Sequence, residues 1–175
     1  MKMQKIGDIK SHCEKKEQDY LQKILQYIQT DGSDKSESFR TLVDSWYGYY
    51  MGEGFVKRTG SVQWFNRSNL AQKRHLAAIC KMHFISAEAN KVLNSDTDDH
   101  LIKDHSVPVN ILRKELSALK PLDTEGVKTF LLNRYRLGVI TKCEDNKLSG
   151  PLKSGFPSGS STFDILARYK AVGIF

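Results

Sequence analysis

The sequence predicts a mainly α-helical protein with a small β element in its second half. Three observations carry that expectation. Apolar residues recur at helical spacing through most of the first half. Two short runs in the second half, His100 to Val107 and Arg136 to Ile140, read as strands. The second of these leads straight into Thr141 and Glu144, a capping-box pair that starts a helix.

Taken in order, the first 30 residues form one amphipathic helix. Leu21, Ile24, Leu25 and Ile28 fall at the i, i+3, i+4, i+7 positions of one face, and charges occupy the other. Asp31-Gly32-Ser33-Asp34 breaks it. A second helix carries Phe39, Leu42, Val43, Trp46, Tyr47 and Tyr50 as a core-facing stripe. The Trp46-Tyr47-Gly48-Tyr49-Tyr50 cluster could instead serve a protein partner, but core is the better reading. Gly48, Gly52, Gly54 and Gly60 then predict a turn-rich loop. Helix resumes from Ser68 to about Asn94, with Leu76, Ile79, Cys80, Phe84 and Ala87 available for burial.

Ser95-Asp96-Thr97-Asp98-Asp99 marks a change of character. Residues 1–94 are expected as a helical basic region and 95–175 as a mixed α/β region, packed as one compact domain. After the strand at His100 to Val107, Pro108 suits the first turn of a helix, where its missing N–H is no loss. That helix buries Val109, Leu112, Leu116 and Leu119, and Pro121 stops it. Asp123 or Thr124 caps a short helix through Phe130 and Leu131. The strand Arg136 to Ile140 and the capped helix follow. A Gly/Ser/Pro-rich loop from Gly150 to Ser161 leads to a last helix around Ile165 to Val172.

With 39% hydrophobic residues among 175, the chain can bury a core, which excludes a wholly disordered protein. Its 27 Lys and Arg exceed 20 Asp and Glu, and the resulting +7 favours polyanionic partners. Cys13, Cys80 and Cys143 stand far apart with no CxxC pair, so neither a zinc ribbon nor a disulfide framework is expected, and no zinc. No secretory h-region or membrane-length apolar run is present, so a cytoplasmic protein without a membrane partner is expected.

Distribution of charge says more than its total. Between Glu53 and Glu88 there is no acidic residue, while Lys57, Arg58, Arg67, Lys73, Arg74 and Lys81 all fall there. Trp64, Phe65, Asn66 and Asn69 interleave with them. Clustered cations beside a phosphodiester backbone release condensed counterions, and Asn and Arg can read base edges. Lys57, Arg58, Arg67, Asn69, Lys73, Arg74 and Lys81 are therefore the expected nucleic-acid-binding residues, with double-stranded DNA the expected partner. The competing account has these charges neutralised by Asp96, Asp98 and Asp99. His75 and His83 lie eight apart, and Cys80 with His83 lacks two further zinc ligands, so structural roles suit them better.

Asp104-His105-Ser106-Val107-Pro108 resembles the DHxxP opening of HNH, or ββα-metal, endonucleases. Leu137 to Leu148, a hydrophobic strand followed by a short polar helix, is similar to that family's closing segment. The resemblance spans Leu101 to Gly150 and implies a ββα-metal-like unit in the C-terminal half. It implies His105 as general base, Asp104 as a ligand of Mg²⁺ or Mn²⁺, and Asp145 or Glu144 as the further ligand. Glu144, Asp145 or Asn146 stands where the family has its closing His. Asn110 and Asn133 both stand as candidates for its middle Asn. The function so implied is metal-dependent hydrolysis of DNA phosphodiester bonds, of the restriction or phage-defence type. The alternative is a non-catalytic DNA- or RNA-binding regulator. A homodimer is compatible with either.

Overall fold

The computed structural model describes residues 2–30, 37–52, 79, 81–95, 101–161 and 163–174. It is mainly helical with one small sheet, as the patterning predicts. The chain separates into two compact units, Met1–Trp64 with Glu115–Leu131, and Phe65–Lys114 with Leu132–Phe175. Residues 94 and 95 lie inside the second.

In the first unit, α1 (Lys2–Gln29) and α2 (Phe39–Met51) present their apolar stripes to each other. Leu21 and Ile24 are buried on α1, and Phe39, Leu42, Val43, Trp46 and Tyr47 on α2. Ser38 starts α2: its side chain accepts from the Thr41 N–H, satisfying one of the donors a helix start leaves orphaned. Aromatic pairs join the two helices, with Tyr20 stacked on Tyr49 at 5.5 Å and Tyr27 tilted against Phe39 at 5.6 Å. Two expectations need correction. Gly48 lies inside α2 and is buried, because the helix runs on to Met51 before Gly52 ends it with φ +60°. Tyr50 is 41% exposed; it stacks on Trp46, and the Lys128 ammonium lies 5.9 Å from its ring centre.

The second unit is organised by a three-stranded sheet in the order β1-β3-β2. Here β1 is Phe84–Ile85, β2 is Leu101–His105 and β3 is Leu137–Thr141. All five residues of β3 are buried, as a central strand should be, and the run Leu-Gly-Val-Ile-Thr shows no polar alternation. Strand β2 pairs with it antiparallel, Asp104 opposite Gly138 and His105 opposite Leu137; β1 pairs parallel, Phe84 opposite Gly138.

Strand β1 corrects the expected unbroken helix over Ser68 to Asn94. Phe84 and Ile85 pair with β3, and Ser86 then N-caps a separate helix, α3 (Ala87–Leu93), by accepting from the Ala89 N–H. The residue that makes Phe84 a strand residue is Gly138. A Cβ there would stand 1.9 Å from Phe84 Cζ, so only glycine lets the ring lie flat across β3.

The remaining elements fall close to their expected places. Helix α4 (Val109–Ser117) follows Pro108, whose carbonyl accepts from the Ile111 and Leu112 N–H groups. Asp123 caps α5 (Thr124–Arg134), its side chain accepting from the Gly126 N–H at 2.7 Å. Helix α6 (Lys142–Lys147) begins with the expected capping box between Thr141 and Glu144. The loop expected from Gly150 contains a one-turn helix, α7 (Pro151–Ser154), and the last helix shortens to α8 (Ala167–Lys170). Ile140, Leu148, Tyr169 and Ile174 make a buried cluster on one face of the sheet, with Phe84, Ile102, Leu166 and Val172 against it.

Candidate functional site

Residues of a strand alternate between its two faces, and this decides the fate of the Asp104-His105 pair. Asp104 shares its face with Gly138, Ile140 and Ile102, towards Tyr169. His105 projects from the opposite face, level with Leu137. Each finds partners there. The Tyr169 hydroxyl donates to Asp104 Oδ2 at 2.7 Å, and Arg168 Nη1 approaches the same oxygen at 3.4 Å. The His105 ring stands edge-on to Tyr135 at 5.4 Å and the residue is 3% exposed. The two side chains that the resemblance assigns to one ion and one water are thus turned to different surroundings.

Arg168 is 2% exposed and makes three contacts, two of them to the end of β2. Its Nη1 donates to the His105 carbonyl at 2.6 Å and reaches Asp104, while Nε donates to the Leu152 carbonyl. A buried guanidinium without a carboxylate would be costly, so Asp104 and Arg168 hold each other in place. Burial first, then the Asp104 charge and hydrogen bond, push the Tyr169 phenol well above its ordinary pKa; the Asp145 charge acts in the same direction. Tyr169 therefore stays a neutral donor, with both aspartates close enough to influence it.

Of the two acidic residues on α6, Glu144 is buried and committed to structure. Its Oε2 accepts from the Thr141 N–H at 2.8 Å, from the Thr141 hydroxyl at 3.1 Å and from the Ser86 hydroxyl at 2.6 Å. One carboxylate oxygen thereby ties the starts of α3 and α6 together. Asp145 is half-buried, and its Oδ2 accepts from Lys142 Nζ at 2.6 Å. Asn110 donates to the Ser154 carbonyl at 2.9 Å.

A hard divalent cation needs oxygen donors, and Mg²⁺ takes as few as one or two carboxylates when water and substrate phosphate complete its shell. Asp104 and Asp145 are each already paired with a cation, Arg168 and Lys142, through one oxygen, and Oδ1 of each has no partner among the described residues. Glu144 fits less well, because its restrained oxygen serves the helix starts. Among the described residues no three His, Cys, Asp or Glu side chains stand together as a metal-holding group.

Of the expected nucleic-acid-binding residues, Lys81 is described and is half-buried, just after Ile79. Lys57, Arg58, Arg67, Asn69, Lys73 and Arg74 lie outside the described residues, as do His75, Cys80 and Trp64. His83 is described. Its Nδ1 accepts from the Leu137 N–H at 3.0 Å, and its own N–H donates to the Leu137 carbonyl at 2.9 Å. Although much of its surface is open, that ring edge is turned into the sheet. Desolvation there, and secondarily the Arg136 charge, push its pKa down to about 4. A structural role for His83, expected from its sequence position, suits this geometry.

Tyr169, Arg168 and Ser86 are the contributors that sequence patterning did not single out. Ser86 carried a usable signal, a Ser followed by Ala-Glu-Ala at a helix start. Tyr169 and Arg168 carried none, since their partners are more than 60 residues away in sequence.

No family model, no curated protein and no solved structure matches the chain. Among the described residues no helix is long and apolar enough to cross a membrane.

Proposed function

We propose that this chain binds nucleic acid through the acid-free interval between Glu53 and Glu88. The observation that carries the proposal is that interval itself: six Lys and Arg with no intervening Asp or Glu, in a chain of formal charge +7. Attraction of this kind depends on phosphate, so affinity should fall steeply with salt. For duplex DNA the slope of log Kobs against log salt is about −0.9 per phosphate neutralised. Fluorescence anisotropy of a labelled duplex across a salt series provides the test. Replacing Arg58, Arg67 and Arg74 together with Gln should make the slope shallower by roughly 3 if each meets one phosphate. A shallow slope in the parent protein, or one unchanged in the variant, would sink the proposal. Repeating the titration with duplex RNA and single strands ranks the polymers.

A second reading, metal-dependent hydrolysis of the bound phosphodiester, is favoured by one specific feature. Strands β2 and β3 pair antiparallel and β3 leads directly into α6, which resembles a ββα unit with α4 and α5 inserted between its strands; Asp104 lies on the first strand and Asp145 in the first turn of the helix. In this reading Asp104 and Asp145 hold Mg²⁺ or Mn²⁺, which supplies charge stabilisation at the scissile phosphate. Tyr169 and Arg168 hold Asp104 Oδ2 in place. His105 projects from the other face of β2, and this reading assigns it no role.

Plasmid cleavage with and without Mg²⁺ or Mn²⁺ tests this reading. Asp104→Asn should reduce cleavage at least 100-fold, as expected for loss of a ligand whose supporting contacts alone matter 10–100-fold. His105→Ala should retain cleavage. Loss of cleavage in His105→Ala with duplex binding intact would instead restore the base role that the resemblance implies. Absence of metal-dependent cleavage in the parent protein leaves the non-catalytic binding protein as the function.

A further inference from the structure

We infer that one end of the three-stranded sheet faces the nucleic-acid backbone, with Arg134 and Arg136 continuing there the acid-free interval that arrives at Lys81. The inference rests on the nucleic-acid-binding reading and adds to it two residues from a distant part of the chain. Charge is divided unevenly between the two units. The residues of the first hold 12 Lys and Arg against 12 Asp and Glu, and those of the second 15 against 8. The chain's whole surplus of 7 therefore belongs to the second.

Sheet topology sorts that surplus. Because β1 lies parallel to β3 and β2 antiparallel, β1 and β3 begin at the end of the sheet where β2 finishes. Hydrogen bonds tie the three connections together there. The His83 N–H donates to the Leu137 carbonyl at 2.9 Å, and the Ser106 N–H donates to the Arg136 carbonyl at 3.0 Å. Neighbouring strands lie about 4.8 Å apart, so the connections meet within about 10 Å. Residues 65–83 lead into β1, 105–114 leave β2 and 132–136 lead into β3, and none of these stretches holds Asp or Glu. They bring Lys81, Arg134 and Arg136 to this end, with Arg113 and Lys114 exposed farther along on α4. Asp104, in the last turn of the strand before it, is already engaged by the buried Arg168.

The opposite end of the sheet differs. Glu88 stands in the first turn of α3, and Glu144 and Asp145 in the first turn of α6, so the positive ends of both helices already carry the chain's own carboxylates. At the cationic end the field is felt by a neighbouring residue: after desolvation, the Arg136 charge is what holds the His83 pKa down at about 4. Arg136 is itself held in place by carbonyls, Nη1 donating to Leu132 at 2.7 Å and to Tyr135 at 3.0 Å. Those oxygens position the guanidinium without cancelling its charge.

Fluorescence anisotropy of a labelled duplex, titrated with the full chain across a salt series, provides the test. The slope is the readout, because a variant that folds only in part lowers apparent affinity by a constant factor and leaves the slope alone. Arg134→Gln with Arg136→Gln should make the slope of log Kobs against log salt shallower by roughly 2, at about 0.9 per phosphate. Arg134→Lys with Arg136→Lys keeps both charges and should keep the parent slope. Lys10→Gln with Lys15→Gln, exposed on α1 in the neutral unit, removes the same charge and should leave the slope unchanged.

An unchanged slope in the Arg134 and Arg136 glutamine variant, beside a shallower one on replacing Arg58, Arg67 and Arg74, overturns the inference and leaves the nucleic-acid reading standing. Equal changes in the glutamine variants of the two units would mean that net charge acts without a place, which overturns it too. A slope lost in the lysine variant as much as in the glutamine variant assigns the two arginines to structure, with the same result. A shallow slope in the parent protein overturns the reading and the inference together.

Discussion

The two units bury different chemistry. Among the described residues of Met1–Trp64 with Glu115–Leu131 the buried polar ones are Glu17 and Asp44, and the others enclosed on α1, α2 and α5 are apolar or aromatic. Among the described residues of Phe65–Lys114 with Leu132–Phe175 six polar ones are buried: Ser86, His105, Ser106, Thr141, Glu144 and Arg168. Burying an apolar side chain stabilises by about 1.5–3 kcal/mol and tolerates exchange for another of similar volume. Burying a hydroxyl, carboxylate or guanidinium is favourable only when each finds a partner of the right geometry. The first unit is thus held by area and the second by matched pairs. The Glu17 carboxylate, close to Lys128 Nζ at 2.9 Å, is an exception at the first unit's edge. Ser106 is one in the second: its buried hydroxyl has no hydrogen-bond partner among the described residues.

The largest effect expected from this contrast comes from the smallest substitution. Gly138→Ala adds one methyl group in the second unit, with Phe84 Cζ, Cε1 and Cε2 within 2.5 Å of the new atom. The ring must leave β3, and with it the support of Tyr169. Overpacking of this kind costs about 3 kcal/mol, measured as a fall in the denaturant midpoint. An added methyl that proved neutral would show that Phe84 has another place to go, and the contrast between the units would weaken.

The same contrast explains what could be read from the sequence. The first unit was legible because area is a property of spacing: Leu21, Ile24, Phe39, Leu42, Val43, Trp46 and Tyr47 declare themselves at intervals of three and four, and all are buried. Tyr50 continued that spacing and is exposed, because the stripe meets the end of α2, where periodicity says nothing about what lies opposite. In the second unit the local signals held. The capping box at Thr141 and Glu144 and the strand ahead of α6 stand where they were expected, as does the cap at Asp123 in the first unit.

What could not be read was pairing at a distance. Phe84 looked helical because its neighbours Ile79 and Ala87 are spaced for a helix; only the bare Gly138 backbone makes it a strand residue. Asp104 and His105 are adjacent in sequence and share β2. Adjacency in a strand separates side chains, and the partners that reveal this, Tyr169 and Tyr135, lie 65 and 30 residues away.

The smallest effect concerns pH and His83, at the junction of β1 and β3. Folding lowers its pKa from 6.5 to about 4, through desolvation first and the Arg136 charge second. Between those values the unfolded chain binds a proton that the folded protein refuses. The native contribution of His83 is therefore complete above about pH 6.5 and is lost progressively as pH falls towards 4. The ring is partly open to solvent, so screening makes the effect modest. His83→Gln keeps an oxygen that can accept from the Leu137 N–H and removes the titration. Denaturant midpoints at pH 7 and pH 4.5 should fall further for the parent protein than for His83→Gln, and this difference isolates one histidine from every other group that titrates in the interval. Equal falls would mean that Nδ1 stays accessible to protons in the folded state. The sheet edge would then hold His83 less tightly than its 3.0 Å contact requires.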